Sequence, residues 1–409
     1  LRLFRYTFEF SRECIFTQPH TPRQQRRQAG LGVSIGVLKE SGGGERRVAL
    51  VPRIVDAIGK LGANVVIESR AGEAAGFLDA EYEARGARIV PSAAEVFSAA
   101  QILLQVRVHF SPALDARHTV IGFCDPLSTP RTSEELARHG VRLFSMELIP
   151  RTTRAQSMDA LSSMASIAGY KAVLLAANTL PRLFPMMTTA AGTITPARVF
   201  VIGAGVAGLQ AIATAHRLGA VVSGYDVRAA VKEQIESLGA KYVSITLGAA
   251  GEGQGGYARS LDEETIRKQR EQMAAVFKDQ DVVITTAAVP GKKAPLLITR
   301  EMVHGMAPGS VIVDLAAERG GNCELTRPGE TVVEHGVQIL GPVNLASELP
   351  YHASQMYARN LFELLKLMIV KGEYNPDTDD SILTECLVAK GGAILNPRVQ
   401  AALKEIQPS

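Results

Sequence analysis

The chain has no tryptophan, few aromatic residues (5%) and only four cysteines among its 409 positions. Cys14, Cys124, Cys323 and Cys386 form no C-x-x-C pair, and their spacings are too wide for zinc ligation. Such usage fits a reducing, cytosolic compartment. Charge of one sign is also scarce. The formal net charge is +3, and six arginines against two acidic residues in the first 33 positions carry much of the excess. With no basic stripe interleaved with aromatics, a nucleic-acid partner is not expected. Long hydrophobic runs are missing too. AVLLAA (172–177) is short, and LFELLKLMIV (361–370) is interrupted by Lys366. Neither reaches the ~20 apolar residues of a membrane span. No span of its own is expected, although the chain could dock on a membrane protein. Residues 1–32 have no apolar h-region and are read as a disordered or artefactual extension, not a secretory signal.

What is present is a composition suited to sizeable cores, 46% hydrophobic and 21% charged. From Val33 onward, short apolar runs alternate with helical patterns. VSIGVL (33–38), NVVIES (64–69), ILLQV (102–106), TVIGF (119–123) and RLFSME (142–147) read as strands. Pro52 suits the first turn of a helix with apolar Ile54, Val55, Ile58 and Leu61. A second block begins near Pro196, with strands in RVFVIGA (198–204), AVVSGYD (220–226), DVVITTA (281–287), SVIVDLA (310–316) and GVQILG (336–341). Helices over about 157–180 and 347–371 bridge the blocks, and the C-terminal segment returns to the first. The expected fold is α/β, with two Rossmann-like parallel-sheet domains and a cleft between them. The first domain is discontinuous, 33–165 plus 346–409, and 166–345 is the inserted nucleotide-binding domain.

Within the second block, Gly203-x-Gly205-x-x-Gly208 follows a strand and opens a helix, and Asp226 stands 23 residues beyond Gly203. That context makes it a dinucleotide fingerprint. Gly203 permits the tight turn, Gly205 lets the backbone approach a pyrophosphate, and Gly208 lets helix and strand pack closely. Asp226 can accept from a ribose 2′-hydroxyl and would repel a 2′-phosphate, favouring NAD(H). LGAAGEGQGGYARS (247–260) is either a tolerated insertion or a lid with Tyr257 at its tip. The eight histidines are scattered, with neither a triad nor a metal spacing; His216 reads as surface or packing. Glu318 reads as structural, and Asp314 is ambiguous. A dehydrogenase acting on an alcohol or amino acid needs a proton acceptor. Exchange of hydride between two nicotinamides needs only placement of the rings.

RTTRAQSMDALSS (151–163) concentrates polar groups at the start of a helix. On a helical period Gln156, Asp159 and Ser163 share a face, opposite Met158, Leu161 and Ala165. Capping accounts for one or two of these groups. The set, with Arg151 and Ser162, suits a nicotinamide's carboxamide and ribose.

Taken together, SMELIPRTTRAQSMDALSS, AGYKAV, FPMMTTAAGT, GAGVAGLQAIATAHRLGA, YDVRAAVKEQIESLGAK, TTAAVPGKKAPLLIT and SVIVDLAAERGGNCELT resemble the soluble NAD(H)-binding component of proton-translocating NAD(P)+ transhydrogenase. The resemblance runs from about Val33 to the C-terminus. It implies hydride transfer from NADH to NADP+ on a partner subunit, coupled to proton movement through a membrane-spanning subunit. It also implies a homodimer, peripheral on the cytoplasmic face of the inner membrane. Arg151, Gln156, Asp159 and Ser162 match the family's nicotinamide-side cluster. Gly205, Val206, Asp226, Val227 and Arg228 match its pyrophosphate and adenosine-ribose contacts, Gly256 and Tyr257 its mobile loop, and Gln269 and Ala288 positions nearer the adenosine. Alanine dehydrogenase shares the two-domain plan, and a non-catalytic NAD-binding protein is a further alternative. The alanine dehydrogenase family's substrate lysine falls at Gln105 and its catalytic histidine near Asp125, while Arg47 is retained.

Overall fold

The computed structural model describes residues 32–245, 263–288, 291–377 and 379–406. The extension 1–31 and the glycine-rich loop with Gly256 and Tyr257 lie outside them. Two sheets carry the fold. The first runs, in spatial order, Ala393–Ile394, Leu387–Lys390, Arg142–Ser145, Thr119–Phe123, Ile102–Arg107, Ser34–Val37, Asn64–Glu68 and Arg88–Val90. It is parallel except at Leu387–Lys390 and Ala393–Ile394, which are antiparallel. The second runs Lys241–Tyr242, Val221–Tyr225, Arg198–Ile202, Val282–Thr285, Val311–Asp314, Val337–Leu340 and Thr331–Glu334, and only the last pair is antiparallel. The central strands are buried along almost their whole length. Helices cover both faces of such sheets, so these strands read as apolar runs without alternation. The expected strands are present. The short Arg88–Val90, Lys241–Tyr242 and Thr331–Glu334 and the C-terminal pair add to them.

Each sheet reverses its strand order once. In the first the switch lies between Ser34–Val37 and Ile102–Arg107, in the second between Arg198–Ile202 and Val282–Thr285. Ligands bind outside the carboxyl ends of strands at such points. The two carboxyl-end faces meet. Arg319, beyond Val311–Asp314, pairs with Asp125, beyond Thr119–Phe123, at 3.0 Å. Asn344, in the left-handed region at φ 49°, donates its N–H to Glu318 and hydrogen-bonds Glu45 and Arg47. Asparagine tolerates that conformation. It ties the returning chain to both blocks.

One helix, Ala160–Thr179, belongs to both cores. Ala160, Met164 and Ile167 pack into the first core, and Ala172, Val173 and Ala176 into the second. It is apolar all round, and its 20 residues with a mean hydropathy of 1.4 are long and apolar enough to cross a membrane. In the sequence only the tract 172–177 stands out; here the helix packs between two sheets, which equally demands apolar character. At Gly169 a Cβ atom would lie 2.1 Å from the carbonyl oxygen of Ala207, on the helix Val206–Arg217. The second bridging helix spans Pro350–Met368 and buries Tyr357, Leu361, Leu364 and Leu365 in the first core.

Polar groups line the first switch point. Glu40 accepts the N–H groups of Val106 and Arg107 at 2.6 and 3.2 Å. Glu45 and Arg47 form a buried ion pair at 2.7 Å. Burial opposes the Glu45 charge, but Arg47 outweighs it and brings the carboxyl down to about 2. Burial raises Glu40 to about 7, against its two N–H donors and with the Glu45 charge adding to the rise. These groups border a cavity of about 270 Å³.

Two outcomes follow from these contacts. Gly169→Ala gains helix propensity of about 1 kcal/mol but drives a Cβ into rigid backbone, a larger cost. We expect a net loss of about 1–2 kcal/mol in urea unfolding; unchanged stability would contradict the close crossing. Glu40 stays protonated in the fold up to about pH 7 but ionises near 4.5 when unfolded. The unfolded chain then binds fewer protons in that window, so the contribution of Glu40 falls as pH rises through it. Glu40→Gln should therefore gain on the unsubstituted chain by on the order of 1–3 kcal/mol between pH 4.5 and 7.5. A pH-independent difference in urea midpoints would count against it.

Candidate functional site

The glycine turn occupies the second switch point. The Gly203 N–H donates to the Tyr225 carbonyl at 2.8 Å, and Gly203 has φ 91°. That conformation disfavours any side chain. A Cβ on Gly208 would lie 1.8 Å from the Gly203 oxygen, so helix and turn touch backbone to backbone. Gly205 differs. Its φ is −75°, which any residue adopts, and a Cβ there would meet nothing within 4 Å. Its glycine keeps space open beside the first turn of the helix Val206–Arg217. No side chain caps that turn, and Val206 is exposed on it. Uncapped N–H groups at a helix start suit an anion.

Asp226 follows the strand Val221–Tyr225 and is buried. One oxygen accepts the Ala204 N–H at 2.7 Å and Nη2 of Arg228 at 2.9 Å. The other accepts N–H and Nε of Arg228, both at 2.9 Å. Burial opposes the Asp226 charge, yet Arg228 and the two backbone donors hold its pKa below the usual range. In the sequence Asp226 reads as an acceptor for ribose alone; the structure also gives it an internal partner. Val227 packs against the core below.

Ala288 is exposed beyond the strand Val282–Thr285. Its neighbour Ala287 is pinned by Asn322, whose amide accepts the Ala287 N–H at 3.1 Å and donates to the Ala287 and Pro295 carbonyls. Asn322 is held in turn by Asp314, fully buried among five donors from Thr285, Ala316, Asn322, Cys323 and Thr326. Asp314 is thus a loop anchor. Glu318 accepts from Asn344 and lies 3.8 Å from Arg107, a structural role. His216 is exposed and lies over Gly239. Gln269 sits on the helix Glu263–Phe277. Sequence reasoning misses Asn322 and Thr286, whose hydroxyl donates to the Gly203 carbonyl at 2.9 Å. Their only signal is position, just after a strand end or a double glycine.

RTTRAQSMDALSS is not one helix. Thr153–Met158 forms 3-10 turns, Asp159 is the cap, and the α-helix starts at Ala160. The shared face of Gln156, Asp159 and Ser163 therefore does not exist, because the rotation per residue changes at Asp159. The apolar face is Ala160, Met164 and Ile167; Leu161 and Ala165 are only half-buried. Asp159 accepts the N–H and hydroxyl of Ser162 at 2.9 and 2.6 Å. Capping thus accounts for both. Arg151 and Gln156 are exposed, and Arg154 pairs with Asp380. The same helix meets Ala207 ten residues after Asp159, about 15 Å along its axis. One rigid element therefore links this polar cap to the glycine turn.

Similarity to known proteins agrees with this geometry. Residues 36–168 match the N-terminal domain of the alanine dehydrogenase/PNT family, and residues 172–397 match its C-terminal domain. An NAD(P) transhydrogenase alpha subunit polypeptide of Rhodospirillum rubrum is 44% identical over 384 residues, covering 89% of this chain and 98% of its own. A transhydrogenase crystal structure from Sinorhizobium meliloti is 42% identical with a TM-score of 0.78, covering 89% of this chain and 99% of that one. An L-alanine dehydrogenase structure is 25% identical with a TM-score of 0.77, over 92% and 100%. The chain belongs to the alanine dehydrogenase/PNT family, and within it stands with the NAD(P) transhydrogenase alpha subunits, whose nucleotide-binding Rossmann-like fold it shares.

Proposed function

We propose that this chain is the NAD(H)-binding subunit of a proton-translocating transhydrogenase. The glycine turn carries the reading: open space at Gly205, an uncapped helix start at Val206 and a buried carboxylate at Asp226 fit a dinucleotide that lacks a 2′-phosphate. Gly203, Gly205, Val206 and Gly208 would hold the pyrophosphate, and Asp226, Val227 and Arg228 the adenosine ribose. Gln269 and Ala288 would lie nearer the adenosine, with Gly256 and Tyr257 on the covering loop. Arg151, Gln156, Asp159 and Ser162 would hold the nicotinamide side. Bound NADH supplies a hydride donor to NADP+ on a partner subunit.

The protein's part is placement. Asp314 and Glu318 are committed to structural contacts, which fits a reaction without a protein base. In this reading the site lies between two units, 33–165 plus 346–409 and 166–345. The partners are an NADP(H)-binding subunit and a membrane-spanning proton-channel subunit, which hold the chain at the cytoplasmic face of the inner membrane. Exposed Leu183, Met186, Met187 and Ile194 support a surface for a second copy.

Amination of pyruvate fits less well. Arg47 is buried against Glu45 and Asn344, Asp125 pairs with Arg319, and Gln105 replaces a lysine. Mixed with a matched NADP(H)-binding subunit, the chain should exchange hydride rapidly between nicotinamide analogues; no exchange would refute the reading. NADH oxidation by pyruvate plus ammonia would favour the dehydrogenase instead.

Two substitutions sort the roles. Gln156→Asn should slow hydride exchange by roughly 100-fold through misplacement of the ring, with NADH affinity little changed. Weaker binding at an unchanged rate would make Gln156 a binding residue only. Asp226→Ala should weaken NADH binding about tenfold or more and relax discrimination against NADPH, both read by fluorescence titration.

A further inference from the structure

The tract Asp226-Val227-Arg228 poses a chemical conflict at the ribose end of the site. An acid there suits NAD(H), whereas an arginine beside the ribose is a common means of accepting a 2′-phosphate. The geometry shows how both can stand together. Nε and Nη2 of Arg228 each lie 2.9 Å from a different oxygen of Asp226, the parallel two-bond arrangement of a guanidinium on a carboxylate. The side chains are 14% and 6% exposed, so solvent screens the pair little. The N–H groups of Ala204 and Arg228 fix the same two oxygens at 2.7 and 2.9 Å. The carboxylate therefore cannot turn to follow a departing guanidinium without losing main-chain bonds. Each oxygen has one backbone donor and one donor from Arg228.

We propose that Arg228 is a specificity-determining residue held in check: Asp226 withholds its guanidinium from a 2′-phosphate, so selection for NAD(H) depends on the pair as well as on the Asp226 charge. This rests on the NAD(H) reading above. Loss of Asp226 then acts twice, removing a repulsive charge and releasing a cation beside the ribose. Loss of Arg228 alone leaves the repulsion in place and removes nothing that a 2′-phosphate was using.

The test is a double-mutant cycle on the full chain, with NADH and NADPH dissociation constants read by nicotinamide fluorescence. With Asp226 present, Arg228→Ala should change NADPH affinity less than about twofold. In the Asp226→Ala background, it should weaken NADPH binding about tenfold or more. Arg228→Lys in that background should keep most of the affinity for NADPH. Equal effects of Arg228→Ala in the two backgrounds would overturn the proposal, as would a full gain in NADPH affinity without Arg228. Asp226→Asn serves the same comparison if the alanine variant fails to fold. An unsubstituted chain that binds no NADH would remove the NAD(H) reading itself. NADH binding with additive substitutions would remove only the role given to Arg228.

Discussion

The contact between Gly169 and the Ala207 carbonyl sets the geometry on which the site depends. Two helices can approach this closely only where one presents no side chain. The helix Ala160–Thr179 starts in the first core at the Asp159 cap and ends in the second beneath the sheet that carries the glycine turn. A rigid rod anchored in both cores leaves little freedom to the distance between its polar start and the turn. The other contacts across the blocks, Arg319 to Asp125 and Asn344 to both sides, are polar and partly exposed. Such links hold orientation and cost little to break. The apolar helix sets the spacing, and the polar links trim the angle.

Much of this is legible in the sequence where one local rule governs. A central parallel strand must be apolar on both faces, so RVFVI, VVIT and VIVD announce themselves. The fingerprint is legible because each glycine answers a separate steric demand, and the structure gives each a different one: φ at Gly203, contact at Gly208, open space at Gly205. The family resemblance is legible for a different reason, since it uses many short tracts at once.

The errors fall where two local rules compete. Read at 3.6 residues per turn, RTTRAQSMDALSS puts Gln156 and Asp159 on one face. The backbone instead takes 3-10 turns up to Met158 and restarts at Asp159, because an aspartate that can accept the Ser162 N–H is a strong start signal. The membrane-length helix is the same kind of ambiguity. Burial between two sheets and burial in lipid ask for the same residues, and only the surrounding strands tell them apart. Asn322 is invisible because an asparagine in a loop carries no pattern; its role comes from Asp314, which the fold brings to it.

The disposition of charge bears on chemistry. Asp314, Asp226 and Glu45 are carboxylates that the fold buries securely, and each is surrounded by donors from the chain. A general base must be free to take a proton, which a carboxylate held by an arginine or by several N–H groups is not. These groups instead fix loops: Asp314 the stretch through Thr326, Asp226 the turn at Ala204, Glu45 the segment returning at Asn344. All three lie at carboxyl ends of strands or against them, where a catalytic acid or base would be sought in an α/β enzyme. Buried charge here is invested in position, and position is what hydride exchange between two bound nucleotides requires of the protein.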